Sequence, residues 1–423
     1  MRSAERTARQ LVLSVLERIS TGRLVVQEPG GHRHAFGPGG EPQASIRVRD
    51  PGAWTALLRG SRGLAESYVD GLWDSPDLTA VVRVAARNLQ GLDAWRRRLA
   101  PARVPFQRLR AVGRRTTLAR AREDIHAHYD LGNDLFELLL DETMMYSCGA
   151  FATPETSLRD AQIAKLELVC DKLDLGSGDH VLEIGTGWGG FAVHAAATRG
   201  CRVTTTTISA EQHAYAADRV AAAGLEERVR LLRDDYRALE GRYSALVSLE
   251  MIEAVGWRDF GTFFARCSSL LEPDGAMLLQ AITMDDRAYE VEKSSRSFIR
   301  TLIFPNGCLP SQEVIARNLA AHTDMRMAHH EDLSGDYVTT LARWRENVET
   351  HAATLAQRGY DERFQRLWRM YLCYCEAGFA ERRIGLGQTL LAKPDWRGRV
   401  PATAASRLAG LETAARASSP AHT

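Results

Sequence analysis

A short apolar run followed by a cluster of glycines constrains this chain more than any other stretch. Residues 181–190 read Val-Leu-Glu-Ile-Gly-Thr-Gly-Trp-Gly-Gly, and helical sequence follows. This pattern predicts a buried strand, a tight turn and a helix start, where glycines admit a ligand and free N–H groups face it. The spacing E-x-G-x-G-x-G is tighter than the dinucleotide motif G-x-G-x-x-G, although Gly185, Gly187 and Gly190 satisfy that motif too. The stretch fits either a nucleotide-type cofactor site or a structural glycine turn.

Strands and helices alternate after this motif, which predicts a doubly wound α/β domain that binds ligands at the carboxyl ends of its strands. The predicted strands span 180–184, 202–208, 229–232, 245–249, 276–282, 325–329 and 387–392. Polar helical sequence interrupts the alternation around 284–322. Ser209 and Gln212 are spaced as a capping box for the helix after the second strand. That strand ends in Thr207 and Ile208, without the acid that a Rossmann dehydrogenase uses for the ribose, which argues against NAD.

The composition fits a multidomain protein of 423 residues. We predict a small α+β domain over 1–95, an arginine-rich linker over 96–122, the α/β domain over 123–395 and a tail over 396–423. The 54 basic and 53 acidic residues nearly balance, so the chain as a whole is not a polyanion binder. Seven scattered cysteines without paired C-x-x-C units predict a reduced, cytoplasmic protein and no metal site. No apolar stretch at the N-terminus is long enough for a signal peptide or a membrane span.

The linker is strongly basic, with ten arginines and no acidic residue between Arg96 and Arg122. One interpretation is a solvated connection between domains. The other is a surface that docks on anionic lipid headgroups at the inner face of the membrane, where each basic residue contributes about 1 kcal/mol. Both interpretations stay open at this point.

Several separated blocks resemble the cyclopropane fatty acid synthase family, S-adenosylmethionine-dependent methyltransferases that act on olefinic fatty acyl chains. The blocks are HYDLGNDLF (128–136), MYSC (145–148), GWGG (187–190), TISAEQ (207–212), IFPNGCLPS (303–311) and C-x-x-x-F (375–379). The match is also similar to the actinobacterial branch that makes 10-methyl-branched, tuberculostearic-type fatty acids. It implies a Rossmann-like class I methyltransferase domain, preceded by a small α+β domain that resembles the family's lipid-handling module.

The resemblance implies an S-adenosylmethionine site of twelve residues. Two would close over the methionine part, five would form the cradle, three would hold the ribose and adenine side, and two would flank the adenine. In that order they are Tyr146 and Ser147; Glu183, Gly185, Gly187, Trp188 and Gly189; Thr207, Ile208 and Gln212; and Asp235 and Tyr236.

The family removes a proton from the reacting chain with a bicarbonate ion held by polar groups. At matched positions these groups are the Cys148 backbone, Glu253, Tyr337 and the region of Cys375. We interpret Cys375 as a lining residue and not as a nucleophile. Structural roles also fit, with Glu253 as a carboxylate at a helix start and Tyr337 as a core tyrosine.

Gln280 departs from the family, because the cyclopropane synthases usually have histidine at this position. A glutamine donates and accepts hydrogen bonds, but it cannot shuttle a proton near neutral pH. We hypothesise that Gln280 marks an enzyme that makes a methylene or methyl branch, with a separate reductase saturating the methylene group. The predicted substrate is an unsaturated acyl chain of a phospholipid. The alternatives are a methyltransferase of the same fold for a soluble small molecule, and a non-catalytic lipid-binding protein.

Overall fold

The structure is a computed structural model that describes residues 2–89, 132–293, 295, 297–305 and 307–399. The arginine-rich linker over 96–122, the first predicted block up to residue 131 and the end of the tail lie outside the described residues. In the described part, no helix combines the length and the apolar character needed to cross a bilayer.

Residues 2–89 form a four-stranded sheet with helices packed on it. The elements are α1 (Ser3–Leu16), β1 (Gly22–Gln27), β2 (Arg33–Gly39), β3 (Gln43–Val48), α2 (Gly52–Leu57), α3 (Ser61–Val69), β4 (Trp73–Asp74) and α4 (78–89). The strand order is β2-β1-β3-β4, with β1 and β3 parallel.

The rest of the described chain builds a seven-stranded sheet between helices. The elements are α5 (Asn133–Leu139), α6 (Leu158–Lys172), β5 (His180–Ile184), α7 (Gly190–Arg199), β6 (Arg202–Thr206), α8 (Ala210–Ala222), β7 (Val229–Leu232), β8 (Tyr243–Leu249), α9 (Phe260–Leu270), β9 (Leu271–Met284), α10 (Asp286–Glu292), α11 (Gln312–His322), β10 (Arg326–Asp332), α12 (Ser334–Thr350), α13 (Ala352–Gln357), α14 (Glu362–Ala380) and β11 (Ile384–Ala392).

The seven predicted strands are all present, and the doubly wound α/β class is confirmed. The order is β10-β11-β9-β8-β5-β6-β7, with β5 to β9 parallel and β11 antiparallel to both of its neighbours. The strand β9 begins five residues before its predicted start, because Leu271 pairs with Tyr243 across an irregularity in the ladder. The interval 284–322 holds α10, a π-helical turn at Ile299–Ile303 and α11.

The central strand β5 positions the functional region. Val181, Leu182 and Ile184 are buried, as expected of a parallel strand covered on both faces. β5 lies between β6 and β8, where the strand order reverses. The carboxyl ends of these three strands open into a crevice at this switch point, the expected place for a ligand.

The N-terminal region shares one apolar core with the helices α12 and α14. Trp54 from α2 and Trp344 from α12 are buried in the same cluster. Arg83 and Arg87, both on α4, form ion pairs of 2.8 and 2.5 Å with Glu381 at the end of α14. The side chain of Glu381 is only 3% exposed, so these contacts hold a buried carboxylate at the seam between the two regions.

Candidate active site

One cavity lies at the carboxyl ends of β5, β6 and β8, and eleven of the twelve predicted cofactor residues line it. These are Tyr146, Ser147, Glu183, Gly185, Gly187, Trp188, Thr207, Ile208, Gln212, Asp235 and Tyr236. Gly189 is the exception, because it serves as the N-cap of α7 with φ +83°. The geometry thus brings residues from four distant parts of the sequence to one wall.

The glycine turn packs closely against its neighbours, and a side chain at two of its glycines would meet nearby atoms. Gly185 has φ +105°, and a Cβ atom there would lie 3.2 Å from Cγ of Met251. A Cβ atom on Gly190 would lie 2.9 Å from the carbonyl oxygen of Thr143. Side chains at these positions would therefore strain the turn or displace the segment that leads into Tyr146.

The side of the cavity formed after β6 and β7 carries hydrogen-bonding groups. Thr207 Oγ1 donates to Gln212 Oε1 over 3.0 Å. Ser209 caps α8 by accepting from the N–H of Gln212, but its own N–H donates to Thr207, so only half of the predicted capping box forms. Asp235 pairs with Arg237, whose Nε lies 2.7 Å from the carboxylate.

Two buried titratable side chains, Glu183 and Lys165, lie near the cradle. Thr205 Oγ1 donates to Glu183 Oε2 over 2.6 Å, and burial raises the pKa of Glu183 to about 8. Lys165, on α6, is fully buried and donates to Ser147 Oγ over 2.8 Å. Burial lowers the pKa of Lys165 to about 8, while Glu250 and Glu183 oppose that shift. No sequence motif predicted a role for Lys165.

The carboxylate of Glu250 accepts hydrogen bonds from three of the predicted catalytic residues. Glu250 Oε1 accepts from the N–H of Cys148 over 2.9 Å and from Gln280 Nε2 over 2.7 Å. Tyr337 donates its hydroxyl proton to Glu250 Oε2 over 2.5 Å. Glu250 also lines the cofactor cavity, which none of its three donors does.

Glu253, which the family resemblance assigns to the bicarbonate site, bonds to the backbone of β9. Its Oε1 accepts from the N–H of Ile282 over 2.5 Å, and its Oε2 is buried without a partner among the described residues. Burial and the neighbouring carboxylate of Glu250 raise the pKa of Glu253 to about 8. The contacts with Cys148 and Tyr337 are made by Glu250, and Glu253 lies beyond it in the 3-10 turn Ile252–Ala254.

A buried chain of hydrogen bonds sets the orientation of Gln280. Lys172 Nζ lies 2.5 Å from Gln388 Oε1, and a lysine ammonium can only donate. The amide nitrogen of Gln388 therefore faces Gln280 Oε1, over 2.9 Å. The amide nitrogen of Gln280 must then face Glu250. The network thus presents two N–H donors to Glu250 Oε1, the backbone of Cys148 and the amide of Gln280.

Aromatic rings surround the polar cluster formed by Glu250 and its three hydrogen-bond donors. Tyr337 stacks on Phe379 of α14 with ring centroids 4.4 Å apart. The hydroxyls of Tyr146 and Tyr371 lie 2.7 Å apart. The site thus combines a few oriented polar groups with an apolar lining, as expected of a pocket that excludes water around a reacting chain.

The groups that would hold bicarbonate do not fit that ion in this chain. The N–H of Cys148 and the hydroxyl of Tyr337 already bond to Glu250, and so does the amide of Gln280. A second anion beside this carboxylate would face a like charge without those donors. Cys375 lies on α14 in the adjoining apolar cluster.

We expect the thiols of the site to react slowly, as lining groups should. Burial raises the pKa of Cys375 to about 12 and that of Cys148 well above its usual range. At pH 7.5 native Cys375 should react with iodoacetamide at least about 1,000-fold more slowly than a free thiol, because only the thiolate reacts. Mass spectrometry of labelled peptides measures this rate, and urea-unfolded protein is the control. Rapid labelling with loss of activity would contradict the assignment.

Comparison with known proteins gives the family. Residues 116–389 match the family model described as mycolic acid cyclopropane synthetase. The chain belongs to this family. Within the mycolic acid cyclopropane synthetase family, the chain is 39% identical over 367 residues to tuberculostearic acid methyltransferase UfaA1 of Mycobacterium tuberculosis, a match that covers 84% of each chain. It is 37% identical over 359 residues to cyclopropane-fatty-acyl-phospholipid synthase of Escherichia coli, covering 84% of this chain and 89% of that one.

Solved structures of the mycolic acid cyclopropane synthetase family confirm the fold. Cyclopropane synthase MmaA2 of M. tuberculosis is 32% identical and superposes with a TM-score of 0.60 over 64% of this chain and 98% of its own. Mycolic acid cyclopropane synthase CmaA1, solved with S-adenosylhomocysteine and CTAB, is 28% identical and also gives a TM-score of 0.60, over 64% of this chain and 98% of its own.

Proposed function

We propose that this protein transfers the methyl group of S-adenosylmethionine to the cis double bond of an unsaturated acyl chain on a phospholipid. The product carries one added carbon, as a cyclopropane ring or as a methylene group that a separate reductase would convert into a 10-methyl branch. The observation that carries the proposal is the cavity lined by eleven predicted cofactor residues, with Glu250 in its wall.

The polar and apolar parts of the cavity suit the two halves of this chemistry. An isolated double bond is a weak nucleophile, and the sulfonium of S-adenosylmethionine supplies a strongly electrophilic methyl group. The glycine turn and Gln212 would bind and orient the cofactor, which lowers the barrier by fixing the reacting atoms. The rings of Tyr146, Tyr337 and Phe379 would exclude water from a cationic intermediate.

We also propose that the enzyme works in the cytoplasm, on the inner face of the membrane, with the arginine-rich segment 96–122 as its contact with anionic lipid. The sequence of this segment supports the proposal. Sedimentation with vesicles should show binding that rises with the fraction of anionic lipid and falls with salt. Binding that ignores lipid charge would contradict it.

Mass spectrometry of fatty acids tests the function directly. The protein is expressed in a host whose phospholipids contain oleoyl chains but no modified chains, with methyl-labelled methionine supplied. We expect acyl chains heavier by one labelled CH2 group. Derivatising the remaining double bonds separates a methylene branch, which reacts, from a cyclopropane ring, which does not. Folded protein that binds S-adenosylhomocysteine but leaves every lipid unlabelled would favour a soluble substrate.

A further inference from the structure

We propose that Lys165 is a positioning residue of the cofactor site. Its ammonium turns the hydroxyl of Ser147 into a hydrogen-bond donor that faces the cavity, and the two residues together form the subsite for the carboxylate of S-adenosylmethionine. The inference rests on the proposed function through its cofactor alone and not through the lipid substrate. The sequence blocks that carry the family resemblance include Ser147 but not Lys165.

The side chain of Lys165 lies in the interior with one hydrogen-bond partner. It is 0% exposed on α6, and its Nζ atom lies 2.8 Å from Ser147 Oγ. An ammonium has three N–H donors, and a buried charge is costly unless polar partners compensate it. Lys165 forms no ion pair with an acid in the described part of the chain, and Glu250 and Glu183 act on it only from a longer distance. Donor capacity and positive charge thus remain behind Ser147 that the described residues do not use.

The direction of this hydrogen bond sets the orientation of the Ser147 hydroxyl. Burial lowers the pKa of Lys165 to about 8, so at pH 7 the amine is mostly an ammonium, which can only donate. Ser147 Oγ is therefore the acceptor, and its own hydrogen meets no acceptor among the described residues. Ser147 lines the cofactor cavity, whereas Lys165 does not. The hydroxyl is thus set to donate to an acceptor within the cavity.

Hydrogen bonds on both sides hold the backbone segment that carries Ser147. Gln162, which precedes Lys165 by one helical turn on α6, donates its Nε2 N–H to the carbonyl oxygen of Ser147 over 2.7 Å. The N–H of Gly149 donates to Thr340 Oγ1 over 3.1 Å. Residues one turn apart lie on the same face of a helix, so Gln162 and Lys165 fix the backbone and the hydroxyl of Ser147 together. A donor that is oriented in advance binds more tightly, because binding does not have to order it.

The carboxylate is the group of S-adenosylmethionine that suits this donor. The cofactor carries two cationic groups, the sulfonium and the amine, and a single carboxylate. An ammonium behind a hydroxyl repels the cationic groups and strengthens a hydrogen bond to an anion, since linked hydrogen bonds polarise one another inside a protein. The family resemblance assigns Ser147 to the methionine part of the cofactor, which is the part that contains the carboxylate.

A purely structural role for Lys165 leads to a different expected result. If Lys165 only held α6 against the segment around Ser147, its loss would disturb the cavity wall and weaken the binding of every ligand of the cavity alike. If Lys165 serves the carboxylate, its loss weakens the binding of only those ligands that carry one. S-adenosylhomocysteine and its decarboxylated analogue differ in that group alone, so this pair of ligands separates the two roles.

The first test measures the Kd of both ligands by isothermal titration calorimetry at about pH 7. We expect Lys165→Met to weaken the binding of S-adenosylhomocysteine about 10-fold or more, the usual contribution of a hydrogen bond to a charged group. The Kd of the decarboxylated analogue should stay within about threefold of wild type. The matched control is Lys172→Met on the same helix, which should keep both Kd values, because its ammonium contacts Glu331 and Gln388 instead of a cavity residue. Equal losses for the two ligands in Lys165→Met, or no loss for either, would overturn the proposal.

The second test uses Ser147→Ala, which keeps the lysine and removes the hydroxyl through which it acts. This variant should show the same selective loss, and adding Lys165→Met to it should weaken S-adenosylhomocysteine by no more than about threefold further. Losses that multiply in the double variant would show that Lys165 acts independently of Ser147 and would contradict the proposal. If Lys165→Met does not fold, Ser147→Ala decides, and a Kd within about threefold of wild type would count against the subsite. A wild-type protein that binds neither ligand would instead reject the proposed cofactor, and the proposed function with it, before any variant is compared.

Discussion

Replacing Gly185 by valine weakens the binding of S-adenosylhomocysteine at least about 30-fold. The backbone at this position has φ +105°, which costs a valine roughly 1–3 kcal/mol. The new Cβ would also lie 3.2 Å from Cγ of Met251 on the cavity wall, and relieving that contact adds about 1–3 kcal/mol. These two terms add to about 2–6 kcal/mol. The unbound turn can relieve the strain by leaving the binding conformation, and binding must then restore it, so we expect Kd to rise about 30-fold or more. Isothermal titration calorimetry on the purified variant measures it.

The matched control is Gly224→Val, at a glycine with φ +65° where a Cβ atom would meet nothing within 4 Å. Gly224 follows the end of α8, outside the cavity lining. This variant should lose stability through the same backbone strain and keep the wild-type Kd. A Kd for Gly185→Val within threefold of wild type would show that the glycine turn does not contact the cofactor.

Replacing Lys172 by methionine lowers the free energy of unfolding by about 3–5 kcal/mol. The lysine side chain is 1% exposed, and its ammonium lies 2.5 Å from both Glu331 and Gln388. Its removal takes away the ammonium that lies 2.5 Å from the carboxylate of Glu331, whose side chain is 9% exposed. Without the ammonium, the side-chain amide of Gln388 can rotate and exchange the positions of its oxygen and nitrogen. We therefore expect the catalytic rate to fall as well. Urea unfolding followed by tryptophan fluorescence measures the stability term.

The double variant Lys172→Met with Glu331→Met separates a broken ion pair from a packing defect. Replacing both partners of a buried pair by apolar groups is often close to neutral, so most of the lost stability should return. Turnover should stay low, because the donor that orients Gln388 and Gln280 is still missing. A single variant that loses less than about 1 kcal/mol would show that water replaces the pair.

The strands and the cofactor wall could be predicted because local pattern fixes them. Val181 to Ile184 is apolar except for Glu183, and the glycines that follow leave little choice of conformation. Glu250 could not be predicted in the same way. It lies three residues before Glu253, and the family resemblance selects the later acid. Which of two nearby acids enters the site depends on the left-handed backbone of Glu250, and that conformation arises from tertiary contacts.

The positions of the buried lysines in the sequence are informative, although no motif includes them. Only four lysines occur in this arginine-rich chain, and Lys165 and Lys172 both lie on α6. A spacing of seven residues places them on the same face of a helix, together with the apolar positions. A residue type that is rare in the chain but occurs twice on one buried helix face predicts hydrogen-bond acceptors in the core opposite that face. The sequence cannot say which acceptors these are, because Ser147 and Gln388 come from distant parts of the chain.

The helix α14 has a consequence for how the whole enzyme responds to change. Glu381 directly follows the last residue of α14 and forms ion pairs with the arginines of α4. Within the helix, Phe379 stacks on Tyr337, and the hydroxyl of Tyr371 meets that of Tyr146. Because closely packed interiors transmit displacement, a shift of residues 2–89 would move the aromatic rings of the candidate site. The N-terminal region is thereby coupled through α14 to the candidate site, and we expect substitutions that loosen its contact with Glu381 to alter turnover although they lie outside the cavity.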